Sequence, residues 1–167
     1  LRDLCFRVQG PVVAQMMEVF AQDWQFTTRE QLDGESWFPR LSVCGRSLAR
    51  GIPDGPDEDL DMIRWAFLGG IACARRSIRV LTPYFLPDSS IATAFNLAAM
   101  RGVRVDIAVP RRGNLPVVQW AMWAHFRKLL GHGCRIWLTP PPFDHSKLMV
   151  IDGKPVGIEG FLIDVTD

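Results

Sequence analysis

The chain has 167 residues, 48% of them hydrophobic and 22% charged. That balance suits one globular domain with a sizeable core, or one domain and a piece of another, and excludes disordered and fibrous classes. Its 19 Lys and Arg against 18 Asp and Glu leave a net charge of +1, so no general attraction to nucleic acid or anionic lipid is expected and any anion site must be local.

No uncharged apolar stretch reaches the roughly 20 residues needed to cross a bilayer, and the N-terminus has no signal-peptide layout. The four cysteines, Cys5, Cys44, Cys73 and Cys134, lie far apart without CxxC spacing. Their apolar settings predict buried, reduced thiols, the cytoplasmic side and no structural metal.

In chain order, "LCFRVQG" alternates apolar and polar residues and predicts a strand ending at Gly10. A helix follows from Pro11 to about Trp24, with Val12, Met16, Val19 and Phe20 at helical spacing as its expected core face. The polar run from Thr27 to Pro39 predicts a loop and a domain boundary. "RLSVCG" is a candidate strand, and a helix is expected from about Asp57 to Arg75, its acids at one end and Arg75 and Arg76 at the other matching the helix dipole.

"SIRVLTPYF" reads as a strand, "DSSIATAFNLAAMRG" as a capped helix ending at Gly102, and "VRVDIAV" as a strand closed by Pro110. "NLPVVQWAMWAHFRKLLGHG" gives another helix, then "CRIWL" and "SKLMVI" two more strands. Trp120, Met122, Trp123 and Phe126 are expected to pack in the core, and His125 and His132 to be ordinary helix and cap residues. Strands separated by helices predict a layered α/β fold with a mostly parallel sheet, mixed near its end.

The chemistry concentrates in "PPFDHSKLMVIDGK", residues 141–154, which holds one of three His and two of three Lys. In an extended strand His145 and Lys147 share a face, Leu148 and Val150 point the other way, and Asp152-Gly153 is a strong hairpin turn. An ammonium can neutralise a phosphoryl oxygen and an imidazole can act as nucleophile or proton donor, a pairing suited to displacement at phosphorus without a metal. A purely structural reading competes, with His145 a satisfied polar residue, Lys147 a solvated one and Asp152 a turn former.

"HSKLMVID" fits the H-x-K-x-x-x-x-D signature of the phospholipase D superfamily. "LTPYFLPD", "AAMRGVRVDIAVP" and "HSKLMVIDG" resemble landmarks in the second catalytic half of its bacterial cardiolipin synthase branch, and "RDLCFRVQGPVVAQMMEVFAQDW" resembles the strand and helix after the first motif. The resemblance covers nearly the whole chain. It implies a layered phospholipase D-like fold, a mostly parallel (mixed) sheet flanked by helices. Residues 1–35 would be the C-terminal strand and helix of a first domain, and 40–167 a second domain truncated at its C-terminus. The start inside a predicted strand and the stop at "IDVTD" read as a piece of a longer protein.

The resemblance also implies a phosphatidyltransferase working through a phosphohistidine, with no cofactor and no nucleic acid partner. Phosphatidylglycerol would be the substrate, at the cytoplasmic side of a bacterial membrane reached through upstream segments. Family members pair two motifs across one site, so this chain needs a second motif from the same polypeptide or a dimer partner. His145 would be the general acid that later turns base, Lys147 would hold the phosphoryl oxygens, and Asp152 would orient an imidazole or support the site. Tyr84, Phe85 and Phe143 would border the substrate. A hydrolase of phospholipid or nucleic acid, and an inactive structural half, are the alternatives.

One segment departs from the pattern. Where the family has G-[ST]-x-N-x-D, this chain reads "EGFLID", with Glu159 at the glycine position, Gly160 at the hydroxyl position, Leu162 at the Asn position and Asp164 retained. Two phosphate ligands are replaced, and a carboxylate beside a phosphate is repulsive.

Overall fold

The computed structural model describes residues 2–53, 61–157 and 161–164. Its elements are α1 (Val12–Thr28), β1 (Leu48–Gly51), α2 (Met62–Cys73), β2 (Ser77–Leu81), α3 (Ser89–Met100), β3 (Arg104–Pro110), α4 (Pro116–Leu130), β4 (Arg135–Thr139), β5 (Leu148–Ile151), β6 (Lys154–Gly157) and β7 (Phe161–Asp164).

Five strands form one sheet in the order β4-β3-β2-β5-β6, and β1 pairs with β7 in a separate antiparallel ribbon. β2, β3 and β4 run parallel, whereas β5 returns antiparallel on the free edge of β2 and turns through Asp152-Gly153 into β6. Both turn residues have positive φ, 53° and 89°, the conformation of a type I′ hairpin. The steps from β2 to β3 to β4 move in one direction, so right-handed crossovers put α3 and α4 on the same face. The fold is therefore the layered α/β arrangement with a mixed sheet that the sequence predicts.

Register explains the core. Ile78 pairs with Val105 and Ile151, and Val80 with Ile107 and Met149, so alternation aims all six at one face. There they pack with Ile71, Phe95, Ala98, Met122 and Leu129 of the helices. Phe95 and Ile107 are almost completely buried, and truncating such an aromatic to Ala costs about 3–5 kcal/mol.

Several expectations are corrected. "LCFRVQG" forms no strand; the N-terminal segment makes one parallel bridge between Arg2 and Asp144. "RLSVCG" is irregular, and the strand lies further on, at β1. α1 runs past Trp24 to Thr28, stopped where Arg29 turns left-handed and donates its N–H to the Gln25 carbonyl at 2.9 Å. Of its expected core stripe Val12 alone is buried, while Met16 and Phe20 are exposed.

α2 begins at Met62 after Asp61 and ends at Cys73, and residues 57–60 of its expected start lie outside the described residues. Arg75 and Arg76 fall beyond its end, so the expected dipole match there is absent. Arg101 supplies the positive end instead, its guanidinium donating to the Ile71 and Ala72 carbonyls at 3.2 and 3.3 Å. Cys5, Cys44 and Cys73 are exposed and only Cys134 is buried, where desolvation pushes its thiol up to about 11.

Candidate active site

The strand that carries the motif is shorter than its sequence pattern. β5 starts at Leu148, and His145, Ser146 and Lys147 precede it in irregular backbone, so alternation does not set their directions. The segment is fixed from both sides. Arg2 donates its N–H to the Phe143 carbonyl and His145 donates its N–H to the Arg2 carbonyl, each at 2.8 Å. Asp144 accepts the Ser146 N–H at 3.0 Å, and Ser146 is buried between two more accessible neighbours.

Tyr84 joins the two sides of the site. Its ring lies edge-on to the His145 ring at 6.1 Å and 6.3 Å from the ring of Phe143, which is itself 6.3 Å from His145. Tyr84 also lines a hollow of about 500 Å³ together with Lys147, Leu148 and Met149. The walls of this hollow are mostly apolar, from Ile63 and Phe67 of α2 and Ile91 and Phe95 of α3. The Tyr84 hydroxyl donates to Asn114 Oδ1 at 3.0 Å, tying the ring to the loop before α4.

Phe85 differs from its neighbour. It is 5% exposed and packs 6.0 Å from Phe95, so its ring belongs to the core at the floor of the hollow, and its backbone N–H donates to Met122 Sδ.

Asp152 does not reach His145. Its carboxylate accepts N–H groups from Arg75 and Arg76 at 2.9 and 2.6 Å and from Ser77 at 2.9 Å, stitching the hairpin to the turn between α2 and β2. Burial pushes its pKa up, but these backbone donors and the Arg76 guanidinium outweigh it and hold the carboxyl below its usual value. Its hydrogen bonds hold the hairpin to the α2–β2 turn.

The carboxylate beside the imidazole is Asp3, whose Oδ2 lies 3.4 Å from His145 Nδ1. Sequence reasoning missed it, because it stands 142 positions away with no spacing that ties it to the motif. A carboxylate at Nδ1 favours the tautomer with its proton there. Glu159 and Gly160 lie outside the described residues, and the backbone of Leu162 and Asp164 is in β7, opposite Arg50 and Leu48. Among the described residues no three His, Cys, Asp or Glu side chains cluster as metal ligands.

A mixed sheet whose returning strand is preceded by His145 and Lys147, beside an aromatic loop from the end of β2, defines a phospholipase D-like domain. Residues 68–161 match the family described as cardiolipin synthase, PLD-like domain. The chain is 33% identical over 159 residues to a cardiolipin synthase of Geobacillus thermodenitrificans, covering 94% of this chain and 32% of that one. It is 33% identical over 153 residues to a probable cardiolipin synthase of Bacillus subtilis, covering 91% and 30%.

A solved phospholipase D family member, NUC from Salmonella typhimurium, aligns at TM-score 0.49 and 25% identity over 65% of this chain and 66% of that one. The chain belongs to the cardiolipin synthase branch of the phospholipase D superfamily. It spans about a third of the length of the curated relatives it matches.

Proposed function

We propose that the chain is one catalytic half of a phosphatidyltransferase of cardiolipin synthase type, acting on phosphatidylglycerol through a phosphohistidine. The observation that carries the reading is Lys147 on the rim of an apolar hollow that shares Tyr84 with His145. A cation at the mouth suits a phosphodiester, and apolar walls suit the glyceride behind it.

A histidine from a second motif attacks phosphorus, forming the P–N bond as the P–O bond to the leaving glycerol breaks. His145 gives its Nε2 proton to that alkoxide, then takes a proton from the hydroxyl of a second phosphatidylglycerol, whose oxygen displaces the histidine. Asp3 stabilises the imidazolium that gives the first proton and that forms again when the second hydroxyl yields its own, and Lys147 offsets charge on the non-bridging oxygens. The second motif comes from the same longer polypeptide or from a dimer partner, at the cytoplasmic face of the membrane. Tyr84 and Phe143 hold the imidazole plane. Asp152 keeps the hairpin in place.

The test is turnover of phosphatidylglycerol to cardiolipin by the assembled two-motif enzyme. His145→Ala is expected to lower kcat by about 10²–10⁴-fold with the melting temperature unchanged, since the side chain is 36% exposed. Asp3→Asn is expected to lower kcat by roughly 10–100-fold with KM nearly constant, as for other partners that orient an imidazole. Full turnover by His145→Ala rejects the assignment. The "EGFLID" departure favours an inactive structural half as the second reading; wild-type enzyme that binds phosphatidylglycerol without turnover would establish it.

A further inference from the structure

Net charge near neutrality conceals a strong segregation. From Ile107 to Phe143 the sequence contains no Asp or Glu, yet it holds Arg111, Arg112, Arg127, Lys128 and Arg135. Arg135 is neutralised by Asp106, to which it makes two bonds of 2.7 Å. The other four are exposed and enter no ion pair among the described residues.

α4 lies at the centre of this stretch. Met122 and Leu129 are buried beneath it, whereas Trp120 is 68% exposed, Trp123 53% and Val117 74%. Trp120 leads along the helix to Trp123 and Arg127 on one side and to Ala124 and Lys128 on the other, so indoles and cations share the outward face. Helix stability accounts for Arg127 and Lys128 in the last turn but not for Arg111 and Arg112, which precede the N-terminus where the helix dipole disfavours cations. Tryptophan beside unpaired cations is the composition of a surface that rests in the headgroup region of an anionic bilayer.

We infer that the outward face of α4 docks on an anionic phospholipid bilayer, with Trp120 and Trp123 entering the interface and Arg111, Arg112, Arg127 and Lys128 meeting lipid phosphates. The position fits the reaction. Asn114, in the loop that leads into α4, holds the Tyr84 hydroxyl at 3.0 Å, and Tyr84 abuts His145. Docking therefore brings the catalytic mouth against the headgroup layer. The inference goes beyond the proposed reaction and is read without turnover, so either can fail alone.

The test is co-sedimentation of the 167-residue chain with vesicles of phosphatidylcholine alone and of phosphatidylcholine with about one third phosphatidylglycerol. Binding is expected only to the anionic vesicles. Trp120→Ser with Trp123→Ser should weaken it about tenfold, and so should Arg111→Gln with Arg112→Gln, the second loss being reproduced in wild type by high salt. These positions are exposed, and circular dichroism of each variant checks folding. Equal binding to both vesicle types, or variants that bind like wild type, overturns the proposal. So does a wild-type dimer that Trp120→Ser dissociates, because the face would then be covered by a second copy.

Discussion

The carboxylate of Asp152 accepts three consecutive backbone N–H groups, those of Arg75, Arg76 and Ser77. The three donors sit where the chain leaves α2 and enters β2, so the motif residue furthest along the sequence from His145 anchors the β5–β6 hairpin to the start of β2. Removing a charged acceptor leaves those groups to whatever water can reach them, a loss of roughly 2–3 kcal/mol. Asp152→Ala is therefore expected to lower the unfolding free energy by about that amount in urea titration, and Asp152→Asn, which keeps one neutral acceptor, by less. A stable Asp152→Ala protein whose turnover is abolished would instead make Asp152 a partner of the imidazole. Spacing in the sequence placed Asp152 at the turn; only the fold shows that its side chain faces the α2 end and that Asp3 takes the place beside His145.

At the scale of elements, α3 shows why some structure was legible. Asp88 caps it by accepting the N–H groups of Ser90 and Ile91 and pairs with Arg64 of α2 at 2.8 Å. The Ser90 hydroxyl first, then the Ile91 N–H, lower its pKa from 3.8 to about 2 against the effect of desolvation, with help from the Ser90 N–H and Arg64. A carboxyl depressed on folding contributes stability that is present above its unfolded pKa and is lost as pH falls through the folded one.

Melting temperature should therefore drop between about pH 4 and pH 2 in wild type, and part of that drop should vanish in Asp88→Asn, which starts lower at neutral pH. An unchanged acid limb in Asp88→Asn would remove the cap from the account. Asp88, Gly102 and the Asp152-Gly153 turn act over a few residues, so their sequence signals survive into the fold. The α1 stripe, the Trp residues of α4 and the N-terminal strand depend on what packs against them. Periodicity marks a face as apolar without saying what covers it.

For the whole molecule, the sheet carries its helices on one face. The opposite face shows Arg79, Arg104 and Arg135 exposed, with Asp106 among them. Burial of Asp106 raises its pKa, but the Arg135 and Trp137 hydrogen bonds and the charges of Arg135 and Arg104 more than compensate. In the proposed mechanism one imidazole cannot both hold a phosphoryl group and protonate the departing alcohol in the same step, so that mechanism requires a second histidine at the same phosphorus. His145 has a carboxylate beside it in Asp3 and the aromatic rings of Tyr84 and Phe143 around it. On gel filtration, phosphatidyl transfer should therefore travel with particles of at least twice the 18.8 kDa of this chain, whether two copies pair or a longer polypeptide supplies both motifs. Activity that elutes at the mass of one chain and disappears with His145→Ala would show a single histidine sufficing, and the two-histidine mechanism would fall with it.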